Sequence, residues 1–331
     1  MTSNETAFPT LPQPLRHLNW RALFGSRELV VAMMILLTSL VAGWLSPYFW
    51  SWLNLQNVLI AASMELVVAV GLAMVLISGG IDLSVGSVMG VAAIVMALAF
   101  DAGFGVPVAV AAALGVGLIA GLVNGMLISQ LGLNPLITTL GTMTIARSFV
   151  FILSGGYSFS SIPGGFKEAF NAQSFFQMPN LVWMAIGIAV LFDILIRRHV
   201  WFRGFAFIGG NETAALRAGL PVARRKVWVY VLSGLLAAIA AIIIVARMGS
   251  AFPNTGTGLE LRVITAVVVG GCSIYGGRGS ILGAALGVVF LNLVANVLVL
   301  LSLSVYWQGV AAGTILIIAI LTDAASRRSA R

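Results

Sequence analysis

The chain holds only ten carboxylates in 331 residues, and two of them stand where a carboxylate is costly. Glu65 falls inside an apolar run near residues 57–78. An ionisable group at membrane depth marks a functional site by default, because keeping a charge there is expensive. A helix-packing contact, or a neutral protonated Glu, accounts for it equally. Asp82 lies in GGIDLS between two apolar runs. There its carboxylate suits the free N–H groups that open the next helix, a capping role that also explains the flanking glycines. Arg147, within another apolar run, needs a partner or water, and Glu65 is the one partner the sequence suggests. Asn124, Asn292 and Asn296, with Thr138, Thr139, Thr142 and Thr265, add neutral hydrogen-bonding groups to apolar helices. Such groups line a path for a polar solute, or bond across helices for about 0.6 kcal/mol each.

Several chemistries are missing. There is no GxxxxGK[ST] phosphate loop, so ATP is not bound by that route. His17 and His199 both lie in polar segments, which leaves no histidine cluster for metal or general-base work. Cys272 is alone, which excludes internal disulfides and a cysteine-built metal site. No paired carboxylates suggest a proton relay. The expectation is a chain without catalysis and without a cofactor of its own.

The elements that position these groups follow from composition. The chain is 60% hydrophobic and 8% charged, with a mean hydropathy of +1.05. A soluble domain carries about a quarter charged residues, so the solvent here is mostly lipid. Apolar runs of transmembrane length fall near 29–46, 57–78, 86–103, 107–129, 135–154, 179–196, 227–246, 262–276, 280–302 and 305–323. The expected fold is an all-α polytopic bundle of about ten spans. The third and eighth runs are short and glycine-interrupted, hence broken or only partly spanning. No cleavable signal peptide is visible, and the first apolar run is long enough to remain as an anchor.

Thirteen of the eighteen Lys and Arg residues lie in three places. These are a polar tail over 1–28 (Arg16, Arg21, Arg27), a central segment over 197–226 with seven, and a basic tail over 324–331 (Arg327, Arg328, Arg331). Six spans separate the first two and four separate the last two, so all three can share the cytoplasmic side, as the positive-inside rule expects. The same distribution argues against nucleic acid as the reason for a net charge of +8. Residues 29–323 form the membrane domain.

Glycine stripes at Gly117, Gly121, Gly125 and at Gly279, Gly283, Gly287 read as close helix packing. An internal repeat, possible in inverted form, is suggested twice at different offsets. GSVMG at 86–90 resembles GSILG at 279–283, whereas Asn124 through Gly141-Thr142 aligns without a gap on Asn296 through Gly313-Thr314. One half then carries an insertion, or one match is chance. Matching interrupted helices point to a transporter's pathway. Asp193 and Arg197 form an i,i+4 ion pair in the favourable order, and Arg278 is a turn residue anchored at the interface.

In the central segment Gly209-Gly210 is expected to break the chain. Asn211 then caps a short helix, Glu212 suits its positive end, and Gly219 and Pro221 stop it. At about seven residues it cannot stand alone in water. It docks on headgroups, on the protein's own helices or on a partner, or else the segment is a plain loop that carries the charge signal.

Four stretches give a more specific likeness. FIGGNETAALRAGLPVARRK over 207–226, ISGGIDLSVGSVMG over 77–90, NPLITTLGTM over 134–143 and PNTGTGLELRVITAVVVGGCSIYGGRGSILG over 253–283 resemble the ribose-type (carbohydrate uptake 2) permeases of ATP-binding-cassette importers. The likeness runs over roughly 29–323. It implies a permease in the bacterial inner membrane, paired with a second permease copy or paralogue. A cytoplasmic ATPase that holds ATP and Mg would dock on one side, and a periplasmic sugar-binding protein on the other. By that likeness Gly210, Asn211, Glu212, Ala214, Ala215 and Gly219 touch the ATPase. Gly80, Asp82, Gly86, Gly277, Arg278 and Gly279 carry the structural motifs. Glu65 and the Asn and Thr groups above would line the pathway. PNTGTGLE is shared by rhamnose-, autoinducer-2- and ribose-like branches, so the sugar is left open. Two rival readings are an ion-coupled secondary transporter and a non-transporting scaffold subunit.

Overall fold

A computed structural model describes residues 27–328, with side chains from 28 to 323. The expected tails at 1–26 and 329–331, with Arg16, Arg21 and Arg331, lie outside the described residues, as do the side chains of Arg27, Arg327 and Arg328. The chain is helical almost throughout. Its elements are α1 (Arg27–Leu45), α2 (Trp52–Ile77), α3 (Val85–Asp101), α4 (Val106–Ser129), α5 (Pro135–Ser154) and α6 (Gly164–Asn171). A hairpin, β1 (Gln173–Phe175) with β2 (Met178–Pro179), follows, then α7 (Asn180–Arg198), α8 (Val200–Gly210) and α9 (Glu212–Arg217). The chain ends with α10 (Val222–Met248), α11 (Leu259–Val269), α12 (Ile281–Leu300) and α13 (Tyr306–Arg328).

Eight of these helices, α1, α2, α4, α5, α7, α10, α12 and α13, are long and apolar enough to cross a membrane. The two runs expected to be short are α3, with 17 residues, and α11, with 11. At 1.5 Å per residue α11 covers only about 16 Å, roughly half a hydrocarbon core. Local chemistry sets the ends. Asn134 accepts from the N–H groups of Leu136 and Ile137 ahead of Pro135, and Gly155 closes α5 in the left-handed region at φ 59°. Ser280 does the same for α12 through the Gly283 N–H, 2.9 Å away.

The centre of the bundle is α2 beside α10, both mostly buried, while α1, α5 and α13 have few buried residues, as lipid-facing helices do. The glycine stripe of α4 packs on α10: Gly117 against Gly234, Gly121 against Tyr230 and Val231, Gly125 against Val227. Gly283 and Gly287 do the same for α12 against Gly270 and Ala266 of α11, whereas Gly279 stands before its helix.

The helix boundaries decide between the two repeat offsets. The offset of 172 that carries Asn124 onto Asn296 lays α2 on α10, α3 on α11, α4 on α12 and α5 on α13, with starts agreeing within three residues. The other match, GSVMG with GSILG, would lay α3 on α12 but start α2 at position 245, inside α10, and is chance. The halves interlock, since the first helix of each packs against the third of the other, α2 on α12 and α10 on α4.

The segment from 155 to 178 lies between two of the apolar runs. It holds α6 and the hairpin, whose two-residue turn puts Phe176 and Gln177 at φ 48° and 53°. Two consecutive positive φ values make the turn whose twist suits a tight hairpin. The central segment 197–226 is likewise mostly helical: α7 runs to Arg198, and α8 ends at Gly210, so the expected break falls at the end of the glycine pair, where Asn211 is extended at φ -159°.

Candidate functional site

Each half of the chain is interrupted at the same place. After α2 the backbone turns at Gly79 (φ 82°), passes through 80–84 without regular structure, and restarts as α3. After α10 it turns at Gly249 (φ 66°), passes through 250–258, and restarts as α11. The two restarts meet. Gly86 lies against the carbonyl of Gly256 and the Glu260 carboxylate so closely that neither glycine has room for a side chain. Irregular backbone inside a membrane bundle needs partners within the protein, and each interruption has its own set.

At the first interruption Asp82 is buried. Its Oδ1 accepts from the Ser84 N–H at 3.0 Å and the Ser84 hydroxyl at 2.6 Å, and its Oδ2 accepts from Ser233 of α10 at 2.8 Å. Asn124 donates to Ser84 Oγ at 2.9 Å and accepts from Thr142 at 2.6 Å. Thr139 accepts from the Leu83 N–H at 3.2 Å and donates to the Pro135 carbonyl at 2.8 Å. Asp82 therefore does not cap α3 in the expected way. It holds the residue before the helix, Ser84, and ties it to α10. Gly80 is where Tyr230 fits, its hydroxyl donating to the Ile81 carbonyl at 3.3 Å. For Thr138 the structure shows only a local bond: it is half-buried and donates to the Asn134 carbonyl at 2.9 Å.

At the second interruption the partner of Glu65 is Arg262, on the first turn of α11. The suggested pairing of Glu65 with Arg147 is wrong: Arg147 donates to the carbonyls of Pro253 and Thr255, at 3.3 and 3.0 Å, and so holds the irregular segment itself. Arg262 Nε lies 3.1 Å from Glu65 Oε1, and its Nη2 donates to Asn292 Oδ1 at 3.2 Å. Asn292 Nδ2 closes the triangle on Glu65 Oε2 at 2.7 Å. Glu65 is buried, midway along α2, but a third of the Arg262 side chain (32%) stays exposed. It faces a cavity of about 400 Å³ between α11, α12 and α13, lined also by Thr265 and Gln308. Asn296 lies elsewhere, in a reciprocal amide pair with Asn54. Arg262 is the residue the sequence reading missed. The signal was present in GLELR: a cation four residues into a short apolar helix needs a buried anion.

The first interruption touches the end of α8, and so does the turn between α11 and α12. A Cβ on Gly209 would overlap the Ile77 carbonyl, and the Gly79 and Gly277 N–H groups would lie 2.9 and 2.7 Å away. The Gly277 N–H donates to the Ile77 carbonyl at 2.9 Å, and Gly276 and Gly277 take φ 85° and 76°. Backbone thus meets backbone where α2 ends, where the chain turns into α12, and where α8 ends. Arg278 belongs to that turn, its carbonyl accepting from the Ser273 N–H. Glu28, Asp323 and the 273–280 turn also meet there through Ser280 and Ser273, so α1, α13 and the central segment share one end of the bundle.

α9 projects from this junction. Asn211 caps it, accepting from the Ala214 N–H at 2.9 Å, and Gly219 follows it at φ 80°. It docks on the protein's own segment: Ala215 is buried with Ile208 and Val222. Gly210, Asn211, Glu212, Ala214 and Gly219 are exposed, as is Leu216. Glu212 pairs with Lys226 at 2.7 Å. Asp193 and Arg197 pair at 2.7 Å as expected. Arg225 is buried over Gly204 with Nε and Nη1 unpartnered among the described residues.

Among known proteins, residues 54–320 match a family described as "Branched-chain amino acid transport system / permease component". The L-arabinose transport system permease protein AraH of Escherichia coli K12 is 39% identical over 285 residues, covering 86% of this chain and 87% of that one. The probable ABC transporter permease protein y4mJ of Sinorhizobium fredii is 36% identical over 308 residues, covering 92% and 91%. The autoinducer 2 import system permease protein LsrC of Escherichia coli SMS-3-5 is 32% identical over 299 residues, covering 90% and 87%.

Proposed function

The chain belongs to this family of transport-system permease components, and we propose that it is the membrane subunit of an ATP-driven sugar importer in a bacterial inner membrane. The observation that carries this reading is α9: a capped six-residue helix, seated on its own segment, exposed on its outer face and joined through Gly209 to the first interruption at Gly79 and to the turn at Gly277 between α11 and α12. A cytoplasmic ATPase dimer with its ATP and Mg grips α9 through Asn211, Glu212, Ala214 and Leu216. Ala215, turned inward, holds the helix in place. Closure of the ATPase moves α9 as a rigid body, and the junction passes that movement to the first interruption and to the turn that follows α11 at once. The pathway exchanges its open side by different contacts in two states. A second permease copy covers the exposed flank, and a periplasmic binding protein delivers the solute at the opposite end.

The solute is a sugar or related polyol, as the names of the arabinose and autoinducer-2 relatives suggest; the family description names branched-chain amino acids instead, so the test carries an amino-acid arm. Vesicles that hold the chain with its ATPase and binding protein are expected to accumulate a sugar from a panel only with ATP. Uptake of leucine but no sugar would overturn the solute class, and uptake that persists without ATP yet collapses with the proton gradient would favour an ion-coupled transporter. No uptake from an intact complex would favour a scaffold. Glu212→Arg, or Ala215→Pro, which breaks a helix interior, is expected to leave the permease inserted while the ATPase is lost or uncoupled. Unchanged co-purification and uptake in both would remove α9 as the handle.

A further inference from the structure

We propose that the cavity between α11, α12 and α13 is a transit site for an uncharged polyhydroxylated solute. There the solute would be read by the free edge of Arg262 and the Gln308 amide. This rests on the importer reading and adds where the solute is held and what charge it carries. The cavity, about 400 Å³, has the size of a small-molecule site. Its walls are mainly small and aliphatic, among them Gly309, Gly313 and Leu291, with few polar groups turned into it. Arg262 spends Nε on Glu65 and Nη2 on Asn292, and its Nη1 has no partner among the described residues. Gln308 lines the same space with its side-chain amide unpartnered among the described residues. Thr265 borders the cavity but is buried, its hydroxyl given to the Leu261 carbonyl 2.7 Å away.

Charge decides the class. The guanidinium would attract any anion, but the Glu65 carboxylate stands 3.1 Å from its Nε and cancels most of that pull at the range of a ligand. What remains is a set of directed donors and acceptors without net charge, which suits hydroxyl groups and disfavours acids and phosphates. No aromatic ring lines the cavity, so no stacking surface holds the solute tightly, and a transit site must release. Arg262 rides on α11, whose start faces Gly86 of α3 across the Gly256 contact. A shift of α11 would carry it away from Gln308 on α13, so release and the change of open side coincide.

The test uses the assembled transporter in vesicles. Uptake per ATP hydrolysed is measured for L-arabinose, D-ribose and L-rhamnose and for the aldonate of each. Gln308→Leu is expected to lower neutral-sugar uptake about three- to tenfold, the effect of one lost neutral hydrogen bond. Gln308→Lys adds a charge that Glu65 does not oppose and is expected to raise the aldonate-to-sugar ratio about tenfold or more. Arg262→Lys keeps the pair with Glu65 but removes Nη1 and is expected to behave as Gln308→Leu does. Should Arg262→Lys fail to insert, the two Gln308 variants decide. If wild type carries sugars while both Gln308 variants keep its rate and its ratio, the transit site is overturned and the importer stands. If wild type carries none of the sugars, the importer reading falls and the transit site falls with it.

Discussion

Asp82 and Glu65 are both buried carboxylates that secure an interrupted helix, yet they are held by different chemistry. Every side-chain partner of Asp82 is a hydroxyl, backed by one N–H. A hydroxyl donates or accepts as required, so these partners can adjust by turning a hydroxyl, with no heavy atom displaced. Glu65 faces Arg262, which only donates, and Asn292, whose amide is already oriented by Arg262. That triangle has one consistent arrangement. The first site is closed on all sides by the protein, whereas the second keeps one edge in a cavity. A polar group in a bundle can therefore serve as a fastener when all its partners are internal, and as a contact for something else when one is not.

The largest test of this contrast is Glu65→Gln. The new amide puts a donor against the Asn292 donor, and turning Asn292 over only sets its N–H groups against Arg262. The buried charge is also left unpaired. Breaking a buried pair costs about 3–5 kcal/mol, and the exposed third of Arg262 places this one near the lower end. The sole cysteine, Cys272, is buried, so its reaction with a thiol-reactive dye during heating in detergent reports unfolding. A marked fall in midpoint is expected. Asp82→Ala comes next, at about 1–3 kcal/mol for orphaned buried donors. Asp82→Asn should cost less than about 1 kcal/mol, because the Ser233 hydroxyl can turn to accept from the new amide. An equal loss in Glu65→Gln and Asp82→Asn would erase the distinction. The smallest effect is expected at Arg225, a buried cation with neither solution. Arg225→Met should raise the midpoint slightly, since an apolar side chain of similar length fits a site with no acceptor. A lowered midpoint would mean that the guanidinium contributes through packing or an acceptor brought by a partner.

Much of this was legible beforehand, for physical reasons. Apolar run lengths report spans directly, and the two short runs with internal glycine became the interrupted helices. Asn211 and Gly219 announced the ends of α9 because caps are local chemistry. What failed was non-local. Gly209-Gly210 announced the end of α8, but nothing near them shows that they serve a backbone crossing with Gly79 and Gly277, far away in sequence. The partners of Glu65 and Arg147 lie roughly 200 and 110 positions away, and charge sign alone could not choose between two cations. The repeat needed helix boundaries to separate a true offset from a chance pentapeptide.

The length of α11 bears on how the chain is made. Eleven residues with a cation four from the start are too short and too polar to enter lipid alone, where exposed backbone ends and a lone guanidinium are both penalised. Its acid partner Glu65 is synthesised some 200 residues earlier and must wait in α2, while Asn292 comes later still. The second half therefore cannot be threaded one helix at a time in order of synthesis. α11 must settle against α2, α12 and α13, the helices it packs on most. The last contacts to form during biogenesis are then those around Arg262, and a chain truncated before α12 should be recognised and degraded as incomplete.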